Sequence, residues 1–184
     1  MRIETPRLIM RTLRLEDAVS ITRNIGNLNV SRWLLVVPYP YRKKDAINWL
    51  KKNREKARKR KKDDYSFGIE LKAEHVIIGG IGIHHIDKYH GRAEIGYWLG
   101  QDYWRKGYGS EALKAILNFA FKELKLRRLE AGVYVGNPSS GKLLEKYGFK
   151  KEGTKKQAVR CKADGKLKDE YIYGLLKRDY HPKK

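Results

Sequence analysis

Trp104-Arg105-Lys106-Gly107-Tyr108-Gly109-Ser110 decides the fold. The run before it, Ala93-Glu94-Ile95-Gly96-Tyr97-Trp98-Leu99, reads as a strand. Residues 111–121 after it carry apolar side chains at spacings of three and four, the helical period. Strand, short glycine loop and helix together make a physical device. Glycine lets the backbone turn tightly and approach a ligand, and the first helical turn presents N–H groups without helical partners. Those donors and the positive end of the helix dipole form an anion site, most naturally for a phosphate or pyrophosphate. Arg105 and Lys106 add charge at the same mouth. Two glycines in a loop also occur for turn reasons alone, so the stretch needs a second feature beside it.

That feature lies downstream. Asn137-Pro138-Ser139-Ser140-Gly141-Lys142-Leu143-Leu144-Glu145-Lys146-Tyr147-Gly148-Phe149 again follows a strand-like run, residues 129–135. Together the two stretches resemble the GNAT superfamily of N-acetyltransferases. In that superfamily a Q/R-x-x-G-x-G/A loop holds the pyrophosphate of acetyl-CoA, and N-x-x-S/A with a closing G-F forms a second half of the cofactor site. Trp104 stands where most of the superfamily has Gln or Arg. A Trp there is common in the branch that resembles the RimJ/RimL ribosomal-protein N-terminal acetyltransferases. Three further stretches look like that branch: Glu4-Thr5-Pro6-Arg7-Leu8 with Arg11, residues 93–99, and residues 169–176. The resemblance covers nearly the whole chain. It implies one α/β (α+β) GNAT-like domain over residues 1–184, with a mixed, mostly antiparallel twisted sheet flanked by helices and splayed at the cofactor site.

The totals agree with a domain of that kind. A chain of 184 residues can bury a sizeable core, and 41% hydrophobic with 34% charged residues fits a soluble globular protein. Cys161 is the only cysteine, so no internal disulfide is possible and a reducing, cytoplasmic setting is expected. No apolar run approaches the ~20 residues that cross a bilayer. The net charge of +21 attracts polyanions, whether RNA, ribosome or cofactor phosphates. A heavily charged thermophile surface is the other reading, and the presence of only two Gln leans towards it. The sequence leaves the oligomeric state open, a homodimer included.

Taken in order, residues 7–13 read as a first strand and residues 15–25 as a helix, broken by Gly26, Asn27 and Asn29. Pro38-Tyr39-Pro40-Tyr41 is a stiff connector. Asp45 is expected to cap a helix over residues 46–62. That helix holds Lys51, Lys52, Arg54, Lys56, Arg58, Lys59, Arg60, Lys61 and Lys62 against Glu55 alone. It is either a face that approaches ribosome or RNA or a solvated helix, and no aromatic is interleaved to stack bases. Residues 65–71 and 76–85 read as a hairpin, with Gly79, Gly80 and Gly82 suggesting a bulge or a close backbone approach. His84 and His85, by strand alternation, should point to opposite faces. After the glycine loop and its helix to about residue 124 come a strand over 127–135 and a helix from Asn137 or Ser139 to Gly148. Two strands, 149–159 and 168–176, turn at Asp164-Gly165.

Acetyl transfer to an amine needs the thioester held, the amine deprotonated, the oxyanion stabilised and the thiolate protonated. The backbone of Arg105, Lys106, Gly107, Tyr108, Gly109 and Ser110 is assigned to the pyrophosphate, with Gly107 and Gly109 keeping a Cβ away from the phosphates. By resemblance, Tyr97, Trp98 and Leu99 pair with the pantetheine arm like an added strand. Asn137 carries over as a cofactor contact, and equally as a helix N-cap. Glu94 is the candidate base, expected to sit in a partly desolvated cleft that raises its pKa. A surface ion pair is the plainer reading of Glu94, and Glu130 on the neighbouring strand is the reserve. The superfamily's acidic Tyr falls at Leu144 here, so that role passes to Ser140 of the N-x-x-S motif. The resemblance also implies a catalytic Glu at the position of Val159, which this chain lacks. The expected function is acetyl-CoA-dependent N-acetylation, with a protein N-terminal α-amine as acceptor. A small amine such as a polyamine or aminoglycoside is the enzyme alternative, and a non-catalytic basic module on the ribosome or RNA is the other. Trp33, Leu34 and Leu35 are placed on the acceptor side by analogy.

Overall fold

A computed structural model describes residues 1–57 and 64–181, and among these residues eight strands join one sheet. In chain order the elements are strands β1 (Arg2–Glu4) and β2 (Leu8–Arg11), then helices α1 (Ala18–Ile25), α2 (Leu28–Ser31) and α3 (Lys43–Ala57). Strands β3 (Tyr65–Leu71), β4 (Val76–Asp87) and β5 (Arg92–Leu99) follow. The chain then forms α4 (Tyr108–Asn118), β6 (Arg128–Tyr134), α5 (Pro138–Lys146), β7 (Lys150–Arg160) and β8 (Leu167–Leu176). The spatial order is β1-β2-β3-β4-β5-β6-β8-β7. Only β5–β6 is parallel, because a helix, α4, carries the chain across between them. The mixed, mostly antiparallel sheet flanked by helices that the sequence led us to expect is what forms.

Strand alternation sorts the core into two layers. On one face Leu113, Ile116 and Leu117 of α4 and Leu144 of α5 pack with Ile81, Ile95 and Leu129 of the sheet. On the other, Ile21 and Ile25 of α1 and Leu50 of α3 enclose Ile77, with Trp98 against them. The Trp98 indole lies on Gly80, where an added Cβ would meet Nε1, so the close approach expected of the glycines in β4 is real.

Several boundaries differ from the sequence reading. The opening segment forms two short antiparallel strands instead of one, because Arg2–Glu4 folds back along Leu8–Arg11. Helix α3 begins at Lys43. Asp45 therefore lies inside its first turn, accepting a 2.8 Å bond from the Arg42 amide, and does not precede the helix. The stretch 58–62 of the basic run lies outside the described residues. After α4 the chain widens into a π-helical turn, Phe119–Glu123, which seats Phe119 edge-on against Tyr65 and Phe67, with ring centroids 5.3 and 6.1 Å away.

Candidate active site

Strands β5 and β6 pair at only three positions, Arg92 with Arg128, Ala93 with Leu129 and Glu94 with Glu130. Beyond them β5 stays with β4 and β6 stays with β8, so the sheet splits into a V. The alternate N–H and C=O groups of residues 95–99 that would have continued the ladder to β6 face the opening. An extended ligand can pair there as a strand would.

The glycine loop stands at the wide end of the V. Gly107 takes φ +82°, a left-handed backbone that strains any residue with a Cβ, and it caps α4. The first ladder bond of α4 runs from Glu111 N to Gly107 O at 3.0 Å, leaving the amides of Tyr108, Gly109 and Ser110 without helical acceptors. This cradle fits a diphosphate: three convergent donors, a helix start and the side chains of Arg105 and Lys106. Gly109 has a packing reason beside the one expected. A Cβ there would meet Leu99 Cδ1 at 3.3 Å and Leu143 Cδ2 at 3.4 Å, so its absence lets α4 seat against β5 and α5. The Ser110 hydroxyl is held within the protein, 2.9 Å from Tyr147 Oη and 2.8 Å from Lys146 Nζ.

A brace from the opening segment holds this loop, and it gives Thr5 and Arg7 of the Glu4–Leu8 stretch their part in the site. Arg7 donates from Nε to Glu111 Oε2 at 2.7 Å and from Nη1 to the Lys106 carbonyl at 2.9 Å. Its guanidinium carbon also lies 4.5 Å from the centre of the Tyr108 ring. Thr5 Oγ1 donates to Glu111 Oε1 at 2.6 Å and the Arg7 amide does so at 2.9 Å. Burial acts to raise the Glu111 pKa, but the bonds from Thr5 and Arg7 outweigh it and hold the carboxyl below its ordinary range. Trp104 fastens the other end, its indole N–H donating to the Leu99 carbonyl at 2.8 Å.

Across the V, α5 presents Ser140. Asn137 is its N-cap, its side chain accepting from the Ser140 amide at 3.3 Å. Tyr97 reaches from β5 to the same place, its hydroxyl 2.8 Å from Ser140 Oγ and donating to the Ser140 carbonyl at 3.2 Å. Burial pushes the Tyr97 phenol up to about 12, so it keeps its proton at neutral pH. Leu144, where the superfamily's Tyr would stand, is fully buried in the core.

Glu94 closes the narrow end of the V, but without the desolvation expected of it. Its side chain is 58% exposed, and His85 Nδ1 lies 3.2 Å from Oε2. His85 gets there because its backbone turns left-handed, φ +51°, where the β4–β5 register shifts. That break cancels the strict alternation expected of His84 and His85. His84 lies beside Asp64 at 3.4 Å, and burial lowers its pKa despite that carboxylate. Glu130, the reserve base, is bound by Arg128 Nε at 2.8 Å, and Arg128 also grips Glu152.

At the far end of β6 opens a cleft of about 490 Å³ lined by Arg32, Trp33, Val135, Lys166, Leu167 and Lys168, with Asp164 and Asp169. Trp33 is thus at a cleft, whereas Leu34, expected beside it, packs against the α1–α3 cluster and Leu35 does not line the cleft. Both acids are engaged, Asp164 by Lys168 at 3.0 Å and Asp169 by Lys156 at 2.8 Å.

Comparison with known proteins completes the assignment. A family model described as an acetyltransferase (GNAT) domain matches residues 7–150. Over 178 residues the chain is 35% identical to N-acetyltransferase p20 of Bacillus licheniformis, itself uncharacterised, with 96% of each covered. It is 36% identical over 85 residues to the ribosomal-protein-serine acetyltransferase of Escherichia coli, 46% of this chain and 48% of that one. The crystal structure of an acetyltransferase (GNAT family) from Bacillus anthracis matches with a TM-score of 0.81 at 28% identity, covering 97% of this chain and 99% of that one. Sequence kinship over almost the full length and a shared overall fold agree: the chain belongs to the GNAT family of N-acetyltransferases, whose acetyl donor is acetyl-CoA.

Proposed function

We propose that this protein acetylates the N-terminal α-amine of a polypeptide, with ribosomal proteins as the leading acceptor class. The observation that carries the acceptor is the charge of the cleft beyond β6. Arg32, Lys166 and Lys168 line it, and its two acids already have cationic partners. A small polycation would find no free acid there and a lining of three cations against two carboxylates, whereas a peptide brings one amine and a chain of uncharged backbone groups. The partial match to a ribosomal-protein-serine acetyltransferase supports the same class. Exposed Lys51, Lys52 and Arg54 on α3 support an approach to ribosomal RNA.

In this reading the amides of Tyr108, Gly109 and Ser110 hold the pyrophosphate, with Arg105 and Lys106 adding charge and Gly107 setting the turn. The open edge of Tyr97, Trp98 and Leu99 pairs with the pantetheine arm, and Asn137 adds a contact beyond its capping bond. Acetyl-CoA supplies the activated acetyl thioester. Glu94 takes the amine's proton, and its exposure lets solvent and His85 relieve it of that proton afterwards. The neutral amine attacks the acetyl carbonyl, the C–N bond forms as the C–S bond breaks, and Ser140 Oγ, positioned by the Tyr97 phenol that stays protonated, hydrogen-bonds the departing thiolate and relays a solvent proton to it.

The test is release of free CoA thiol from acetyl-CoA when short peptides beginning with Ser, Ala or Thr are added. Acceptor-dependent release with one acetyl group gained per thiol is expected. No release with these peptides, together with turnover of small amines, would replace the acceptor class.

A further inference from the structure

The face of the sheet turned away from α4 and α5 carries, around the V, Glu94 on β5, Glu130, Gly132 and Tyr134 on β6, and Glu170 on β8. Leu129, Ala131 and Val133 of β6 point into the α4–α5 layer, so their neighbours alternate to this side. Glu170 is the cross-strand partner of Tyr134. Its carboxylate leans back towards the split until Oε1 lies directly over Gly132, where an added Cβ would collide with it. Gly132 is two residues past the last β5–β6 pair and is exposed in mid-strand, so it forms part of the wall of the V.

The other carboxylates near this wall are engaged: Glu94 by His85, Glu130 and Glu152 by Arg128, Asp164 by Lys168 and Asp169 by Lys156. Among the described residues, Glu170 is the one half-buried carboxylate with neither a hydrogen bond nor an ion pair. In a protein of net charge +21 that is an unusual state for an acid. A carboxylate without a partner is open to one, and Gly132 beneath its Oε1 belongs to the wall of the split. Val135 and Asp169, the sequence neighbours of Tyr134 and Glu170, line the cleft, so an acceptor anchored at Glu170 can trail past Trp33 and Lys168.

We propose that Glu170 holds the ammonium group of the acceptor at the mouth of the split, delivering the amine to the reacting end. The inference rests on the acetyl-transfer reading above and sharpens it. One free carboxylate binds one ammonium, and the two acids further along the cleft are already paired with Lys156 and Lys168. The acceptor is therefore a primary amine on a chain without a second positive charge close behind it.

The experiment compares Glu170→Gln with the wild type on two acceptors. One is a Ser-initiated tetrapeptide, and the other is the same peptide with its α-amine replaced by an aminooxy group, which is uncharged at pH 7. Loss of a charge-assisted hydrogen bond should raise the KM for the Ser peptide by about 10- to 100-fold. The KM for acetyl-CoA and the melting temperature should hold, as should the KM for the aminooxy peptide. Gly132→Ala supplies a second variant that keeps the charge and displaces it, and it should also raise the Ser-peptide KM selectively. Equal KM values for the Ser peptide in wild type and both variants would overturn the assignment. So would equal increases for the two peptides, which would mark a merely structural role. Absence of CoA release by the wild type with either peptide would instead strike the acetyl-transfer reading, and this inference with it.

Discussion

Replacing Arg7 by Ala removes a side chain that touches the glycine loop and the start of α4 at three points. The ion pair to Glu111 at 2.7 Å is half open to solvent on the arginine side, so screening limits it to about 0.5–1 kcal/mol. The bond to the Lys106 carbonyl adds about 1 kcal/mol, and the contact with the Tyr108 ring about 0.5 kcal/mol. Glu111 is not orphaned, because Thr5 and the amide of residue 7 still donate to it. The loss is therefore about 2 kcal/mol, worth roughly 4–8 °C in melting temperature for a chain of this size if all of it reaches the global transition. The loop also loses its preformed shape, and about 1.4 kcal/mol of that loss corresponds to a tenfold weaker Kd for acetyl-CoA. Calorimetric titration with acetyl-CoA and a thermal scan measure both. Arg7→Lys should recover only part, because an ammonium cannot reproduce the two-pronged contact. The pH arm follows from the direction of the Glu111 shift. A carboxyl whose pKa lies lower in the folded state adds stability that is fully present above its unfolded pKa and is lost as pH falls through the folded one. The wild-type advantage over Arg7→Ala should therefore shrink in acid. Wild-type affinity and melting temperature in Arg7→Ala would refute the brace.

Glu94→Gln should lower kcat/KM mainly at low pH, where few acceptor amines are already deprotonated, with recovery as pH rises; a flat profile at the wild-type rate would move the base elsewhere. Tyr97→Phe and Ser140→Ala should each cost about tenfold in kcat, below the usual ~10²–10⁴ of general acid–base catalysis because a hydroxyl relay is weak, with acetyl-CoA affinity little changed. Their double variant should cost no more than the worse single one, because they act as one hydrogen-bonded pair. Additive losses measured in single-turnover assays would separate them.

The strand, glycine loop and helix could be read from residues 93–121 because every part of that device is local: period, turn residue and helix start follow one another in the chain. The same holds for Asn137, whose capping role needs only the next three residues. What could not be read depends on register or on distant contacts. Arg7 and Glu111 stand 104 residues apart, and nothing near either foretells the other. Glu94 seemed desolvated because its strand is; the left-handed turn at His85 and the closed end of the V leave it open. The packing of Gly109 against Leu99 and Leu143 depends on a helix that begins only at Pro138, so no local signal reveals it. Glu170 sits in an ordinary Asp-Glu-Tyr run and gains meaning only from its place opposite Tyr134 and above Gly132.

The most direct test of the central claim is a competition for acetyl groups. Wild-type protein, acetyl-CoA and equal concentrations of a Ser-initiated peptide, spermidine and an aminoglycoside are mixed, and acetylated products are followed by mass spectrometry. The expected result is a single acetyl group on the peptide α-amine with the highest kcat/KM, and faster modification of ribosome-bound than free targets at low salt. A higher kcat/KM for spermidine or the aminoglycoside would contradict the account and make the enzyme a small-amine acetyltransferase.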